Sequence, residues 1–477
     1  MRIKMPFILV VTLCAWVAMA QDRREPPPQA YDDCRRKMAG DTVQHATPEG
    51  TVTATCVDSP QGLVARPNQP SDDRSDTRPP QPPRERGRQP QDDTNRYSIK
   101  QAVSDQAQLH TIAFSGLAFI TGDFAAATFI PPGKVCDFFG FQYMRDIDAA
   151  EKGHNPMFLN RVAGNVLHVL NDEQRAVFEK AARQEADQLR ELAEKRFPLI
   201  LAFYRELNGN IPPGSKGLNK DAVTRYVGDI FAFDAQLSYQ RALIFGQIAA
   251  ALTVGQKAQL GRMKFADFST WPAIDVEGYK LPRGTEKLVN VAYMTYASEF
   301  FSWYAGSVEA DTYFCPERQG TYFGGFYMKD MPAMGKRDYD ISTSLTGDSG
   351  EGFLNVLTDK QRRNITVVLD LQRKALQETI DVRRAIALEL RKFLKGGQAD
   401  RKKVIALGHR YGELDGEMSY YYATAFAKVA KTLTAQQKEK LARLRMSNPS
   451  DTRGPFLYSS PITMPKIANT DFFFGVR

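Results

Sequence analysis

Leu357-Thr358-Asp359-Lys360-Gln361-Arg362 is the stretch on which the reading of this fold turns. A threonine at an N-cap accepts a hydrogen bond from the amide of the third helical residue. A glutamine at that third position reaches back to the N-cap amide. Such a cap contributes on the order of 1 kcal/mol. The same pattern stands at Leu170-Asn171-Asp172-Glu173-Gln174-Arg175, at Leu252-Thr253-Val254-Gly255-Gln256-Lys257 and at Leu433-Thr434-Ala435-Gln436-Gln437-Lys438. An apolar residue follows three positions after each: Phe178, Leu260, Ile365 and Leu441. A single copy reads as a helix start. Four copies in two pairs, 82 and 76 residues apart, read as one unit used twice.

Residues outside the motif repeat in the same order. Ile112-Ala113-Phe114 leads to Cys136, and Val291-Ala292-Tyr293 leads to Cys315, both at an offset of 179. Tyr143-Met144-Arg145-Asp146 matches Tyr327-Met328-Lys329-Asp330 at 184. Arg196, Leu201, Leu207 and Gly209 match Arg383, Leu388, Leu394 and Gly396 at 187. Asp234 and Ser238-Tyr239 match Asp415 and Ser419-Tyr420 at 181. The body therefore divides into repeats at 97–275 and 276–477, the second ending in an extended C-terminal tail.

Each repeat reads as helical. Phe178, Ala182, Leu189, Leu192, Leu199 and Phe203 recur close to the 3.6-residue period, with charges between them. Gly209 and Pro212-Pro213 stop that helix, and Gly396-Gly397 stops its counterpart. Residues 221–252 form another long helical stretch. Residues 111–129 and 288–308, rich in alanine and aromatics, also read as helix. The predicted class is all-α: tandem helical-hairpin units with long amphipathic helices.

The N-terminus sets the compartment. Arg2 and Lys4, the apolar run 6–17 and Ala18-Met19-Ala20 make a cleavable secretory signal over 1–20, which Cys14 leaves with. Residues 21–96 hold 12 of the 27 prolines and one aromatic, Tyr31. That polar stretch reads as a disordered spacer stapled by Cys34 and Cys56. No internal run of 18 or more apolar residues occurs, which argues against a polytopic membrane protein. The net charge of +8 does not point to nucleic acid, because the basic residues of the spacer are interleaved with acidic ones and have no stacking aromatics beside them.

The paired hexapeptides, at roughly 165–268 and 350–446, resemble the Spy/CpxP family of periplasmic proteins with its L-T-x-x-Q motif. The first copy departs from that motif in having Asn171. The resemblance implies a curved helical hairpin, usually dimeric, that binds unfolded envelope proteins without ATP or senses envelope stress or metals. Two fused units would then mimic a dimer in one chain. The predicted function is non-enzymatic binding of proteins or peptides in the periplasm or outside the cell. No cofactor is implied. The cations ending each motif are expected to attract acidic segments.

Other constellations carry alternatives. Cys136 and Cys315 sit at equivalent positions, and a bridge between them competes with cross-pairing to Cys34 and Cys56. Met328, Met331 and Met334 have the Met-x-x-Met-x-x-Met spacing of a Cu(I) site, which would make the chain a copper-sensing or copper-binding protein. The aromatic loops and Asp471-Phe472-Phe473-Phe474 suggest a structural surface or assembly component. Asp234, Asp415, Arg196 and Arg383, set in apolar helices, read first as buried packing networks and second as a polar site. Gly347-Asp348-Ser349-Gly350 copies a serine-protease string without its histidine partner.

Overall fold

The computed structural model describes 28–67 apart from 36, 39–40, 48–49 and 60–61. It also describes 96–98, 103–122, 156–313 apart from 264–267, 340–342, 347–444, and 456–476 apart from 458–459 and 462. The chain divides into two compact units, Met1–Gln81 and Pro82–Arg477.

The first unit corrects the expected spacer. Disorder was the expectation for all of 21–96, yet 28–67 is folded. A short helix, α1 (Pro28–Asp33), precedes three strands: β1 (Thr42–Thr47), β2 (Gly50–Ser59) and β3 (Gly62–Pro67). They form an antiparallel meander in which Thr42 faces Thr55 and Cys56 faces Ala65. The cause is local. Threonine and valine are dense from 42 to 57, and β-branched side chains suit a pleated, half-buried surface. Cys34 and Cys56 are disulfide-bonded, tying the end of α1 to β2. Closing a loop of that length contributes about 3 kcal/mol in the chain-entropy model. Ala30, Ala54, Val64 and Ala65 complete a small core.

The second unit is all-α in its body. The first repeat supplies α2 (Asp105–Thr121), α3 (Pro156–Val169), α4 (Asp172–Asn208), α5 (Lys220–Ala251) and α6 (Val254–Arg262). The second supplies α7 (Lys287–Tyr304), α8 (Val308–Tyr313), α9 (Gly347–Val356), α10 (Asp359–Leu390), α11 (Arg401–Ala430) and α12 (Ala435–Leu444). Gly209 ends α4 and its repeat equivalent Gly396 ends the 3₁₀ turn Phe393–Lys395 that follows α10, with φ of 72° and 73°, the left-handed conformation that glycine adopts without steric cost. Among the described residues no helix is long and apolar enough to cross a membrane.

Two features join the repeats into one body. The first is a close crossing of α5 and α11. A Cβ at Gly412 would lie 2.4 Å from the Val227 carbonyl oxygen, and one at Gly408 would lie 2.2 Å from the Ala235 Cβ. One at Gly416 would lie 3.1 Å from the Val227 Cβ. The 181-residue offset maps Gly412 onto Phe231, its own neighbour across the crossing. It also exchanges the Gly408–Ala235 contact with Gly416–Val227. Contacts that map onto themselves in this way are those of an isologous, two-fold interface.

The second feature is an exchange of helices. α2 packs mainly on α9, α10, α11 and α12 of the other repeat, although Phe119 also meets Tyr204 on α4 edge to face at 5.0 Å, whereas α7 packs on α3, α4 and α5. Gln108 on α2 bonds Gln372 on α10 at 2.8 Å, and the Phe119 ring stands 6.2 Å from Phe426 on α11. Reciprocally, Phe300 on α7 lies 5.9 Å from both Phe178 and Phe245. A short ribbon repeats the exchange: β4 (Arg96–Ser98) pairs with β5 (Asp340–Ser342), antiparallel. The sequence repeats at 97–275 and 276–477 thus lie within one compact unit.

After a two-strand ribbon, β6 (Phe456–Leu457) with β7 (Ser460–Pro461), residues 463–470 carry no regular structure. A 3₁₀ turn, Asp471–Phe474, then packs against α4 and α5, burying Phe473 and Phe474.

Candidate functional site

The four motifs fold as capping boxes. Asn171, Thr253, Thr358 and Thr434 accept from the amides of Gln174, Gln256, Gln361 and Gln437, at 2.9, 3.2, 3.3 and 3.2 Å. Each glutamine Oε1 accepts the N-cap amide in return. The glutamines then do something a lone cap does not. Gln256 Nε2 donates to Gln174 Oε1 at 2.7 Å and to the Val169 carbonyl at 2.9 Å. Gln437 Nε2 donates to Gln361 Oε1 at 2.8 Å and to the Val356 carbonyl at 2.9 Å. The partner glutamines reach the carbonyls of Ala251 and Thr432. In each half, one amide pair therefore locks two helix starts to two helix ends. Leu170, Leu252, Leu357 and Leu433 are buried beneath these locks.

The cations that close the motifs differ in use. Arg175 donates to the carbonyls of Leu167 and Leu170, and Arg362 to that of Leu354. Both turn onto the C-terminal end of the preceding helix, where the dipole favours positive charge. Lys257 and Lys438 are exposed.

A buried charged cluster lies between α4, α5 and α7. Arg241 is fully buried, its Nε 3.1 Å from Glu185 Oε2 and its Nη1 2.9 Å from Glu299 Oε2. Its Nη2 donates to the Tyr296 hydroxyl at 3.1 Å, and that hydroxyl bonds Glu185. Two carboxylates and one guanidinium, all withdrawn from water, are tolerable only when hydrogen-bonded in this way. By the offsets of the repeat the equivalent positions in the other half are Gln372, Tyr422, Ile120 and Leu117, and Gln372 there donates to Gln108.

The second half carries a different charged feature. Arg383 donates to the carbonyls of Thr312 and Asp311 and to the Tyr411 hydroxyl, each at 2.8 Å. Arg391 pairs with the Asp311 carboxylate at 2.5 and 3.0 Å. Burial pushes the Asp311 carboxyl up, against the pull of Arg391 and Arg383. Both arginines clamp α8 onto α10. Glu389 ties the end of α10 to α11. Its carboxyl is buried, which would raise it, but the Asp400 amide and the ammonium groups of Lys392 and Lys403 bring it down to about 2.

Asp234, Asp415, Arg196 and Arg383 are all buried. The Ser419 hydroxyl donates to the Asp415 carbonyl at 2.5 Å, and Arg196 lies 5.7 Å from the centre of the Phe231 ring. These residues belong to the helix packing. Cys136, Cys315, Met328, Met331 and Met334 lie outside the described residues. Among the described residues no group of three or more His, Cys, Asp or Glu is arranged to hold a metal ion.

On the outer face of α10, Val367 and Leu371 are 48% and 45% exposed, between the exposed Lys360, Arg363 and Lys374. Leu388 is 56% exposed further along the helix. The glutamine locks, the Arg241 cluster and this stripe were not part of the sequence reading. A glutamate inside the aromatic helix Ser298-Glu299-Phe300-Phe301 was the one available signal, since a buried carboxylate needs a partner. Comparison of the chain with protein-family models, curated proteins and solved structures finds no match.

Proposed function

We propose that this chain is a secreted or periplasmic, non-enzymatic binding protein that holds unfolded or envelope proteins without ATP, in the manner of the Spy/CpxP family it resembles. The observation that carries the reading is the stripe on α10. Exposed Val367 and Leu371 between Lys360, Arg363 and Lys374 offer apolar contact and positive charge on a rigid frame. An unfolded segment rich in apolar and acidic residues suits that surface. The four capping motifs support the family likeness. The signal-like residues 1–20 and the Cys34–Cys56 bridge support an oxidising compartment.

The test is an aggregation assay. The chain from residue 21 onward is mixed with a chemically denatured client, without nucleotide, and light scattering is followed. Suppression at a few-fold molar excess is expected, weakened at least twofold by Val367→Ser with Leu371→Ser. No suppression at a several-fold excess would sink the proposal.

A further inference from the structure

We infer that the turn between α4 and α5 is a peptide-binding site for an acidic residue followed by aromatic ones, and that residues 470–474 of the chain are its resident occupant. The inference goes beyond the proposed holding function and stands whether or not aggregation is suppressed.

The contacts are those of peptide recognition, with main-chain bonds for affinity and side-chain seats for selectivity. The Asn219 amide donates to the Phe473 carbonyl at 2.7 Å, and the Ser215 hydroxyl to the Phe474 carbonyl at 2.9 Å. Arg205 reads the acidic residue, its Nη1 2.7 Å from Asp471 Oδ1 and 2.8 Å from Thr470 Oγ1. Its Nε donates to the Asn210 carbonyl at 3.1 Å, which fixes the guanidinium. The same guanidinium stands 4.8 Å from the centre of the Phe474 ring, within cation–π range. Tyr226 receives Phe473 edge to face at 4.9 Å.

The site belongs to one repeat alone. From the equivalent glycines to the next helix run 209–219 in the first repeat and only 396–400 in the second, where a 3₁₀ turn, Phe393–Lys395, precedes Gly396. Lys392, Asp400 and Leu407 stand there at the places of Arg205, Asn219 and Tyr226. The occupant lies 26 residues beyond the end of α12, after Pro455, Pro461 and Pro465. Its seat is therefore built by residues far from it in the chain.

The experiment titrates a fluorescein-labelled peptide of residues 463–477 against the full chain by anisotropy. Two proteins are compared: wild type, and a variant carrying Asp471→Lys with Phe474→Ala, whose own segment is weakened and whose seat is intact. Binding at least tenfold tighter to the variant is expected. Adding Arg205→Glu to the variant should cost at least tenfold, with part regained by a peptide carrying Asp471→Lys. No saturable binding to a natively folded variant would overturn the inference, as would equal binding to both proteins. If the variant does not fold, hydrogen exchange on wild type decides. Amides of Phe473 and Gly475 should exchange at least tenfold faster than those in the middle of α5. Exchange at the same rate would make the segment a permanent part of the core and overturn the site.

Discussion

The two halves of the helical body place matching helices in matching positions and fill the space between them differently. One interior holds the Glu185–Arg241–Glu299 cluster with Tyr296. The other holds the neutral Gln372–Gln108 pair, with Tyr422 at the place of Arg241 in the repeat. The glutamine locks, by contrast, recur almost bond for bond. The difference teaches that the frame and the interior answer to separate constraints. The frame needs helix ends satisfied at fixed junctions, and one chemistry does that twice. The interior needs only matched volume and paired polar groups, and several residue sets provide this.

Three measurements can break or sharpen the contrast. Arg241→Leu strands two buried carboxylates and should destabilise by about 3–5 kcal/mol, read as a lower urea midpoint. Gln372→Leu, at the matching place, should cost only about 1–3 kcal/mol, the cost of one unpaired amide. Equal losses would erase the distinction between the two interiors. Next, Gln256→Ala and Gln437→Ala should each cost about 2 kcal/mol, for a cap and its cross-bond together. Melting temperatures that differ clearly between these two variants would show that the locks are not equivalent. The third measurement is a pH dependence. Because the Glu389 carboxyl is held down to about 2, its contribution is complete above the ordinary carboxylate value near 4.5 and is lost as pH falls toward 2. Glu389→Gln should remove that part of the acid sensitivity in thermal melts between pH 5 and 2. An unchanged acid limb would refute the assignment.

The helical class and the helix starts were legible because caps and 3.6-residue periodicity are local signals. The strands at 42–67 were missed because composition was averaged over 76 residues, and Pro79 to Pro83 outweighed the threonine and valine alternation before them. The Arg241 cluster is not legible from the repeats, because Gln372 and Tyr422 do not match Glu185 and Arg241. The exchange of α2 and α7 left no mark in sequence, since either half could accept either helix by pattern alone. The second role of the glutamines depends on a neighbour about 80 residues away, which no local pattern encodes.

That exchange has a consequence for how the molecule is made. α2 leaves the ribosome early, but its seat on α9 to α12 is synthesised more than 200 residues later. Until then its apolar face lacks most of its native partners, Tyr204 on α4 being an early one, and the first repeat lacks α7, which covers Phe178 and Phe245. Neither repeat can mature by itself in the growing chain. The body must close in one late step, with the long-range contacts that slow folding and lengthen the exposure of unpaired surface.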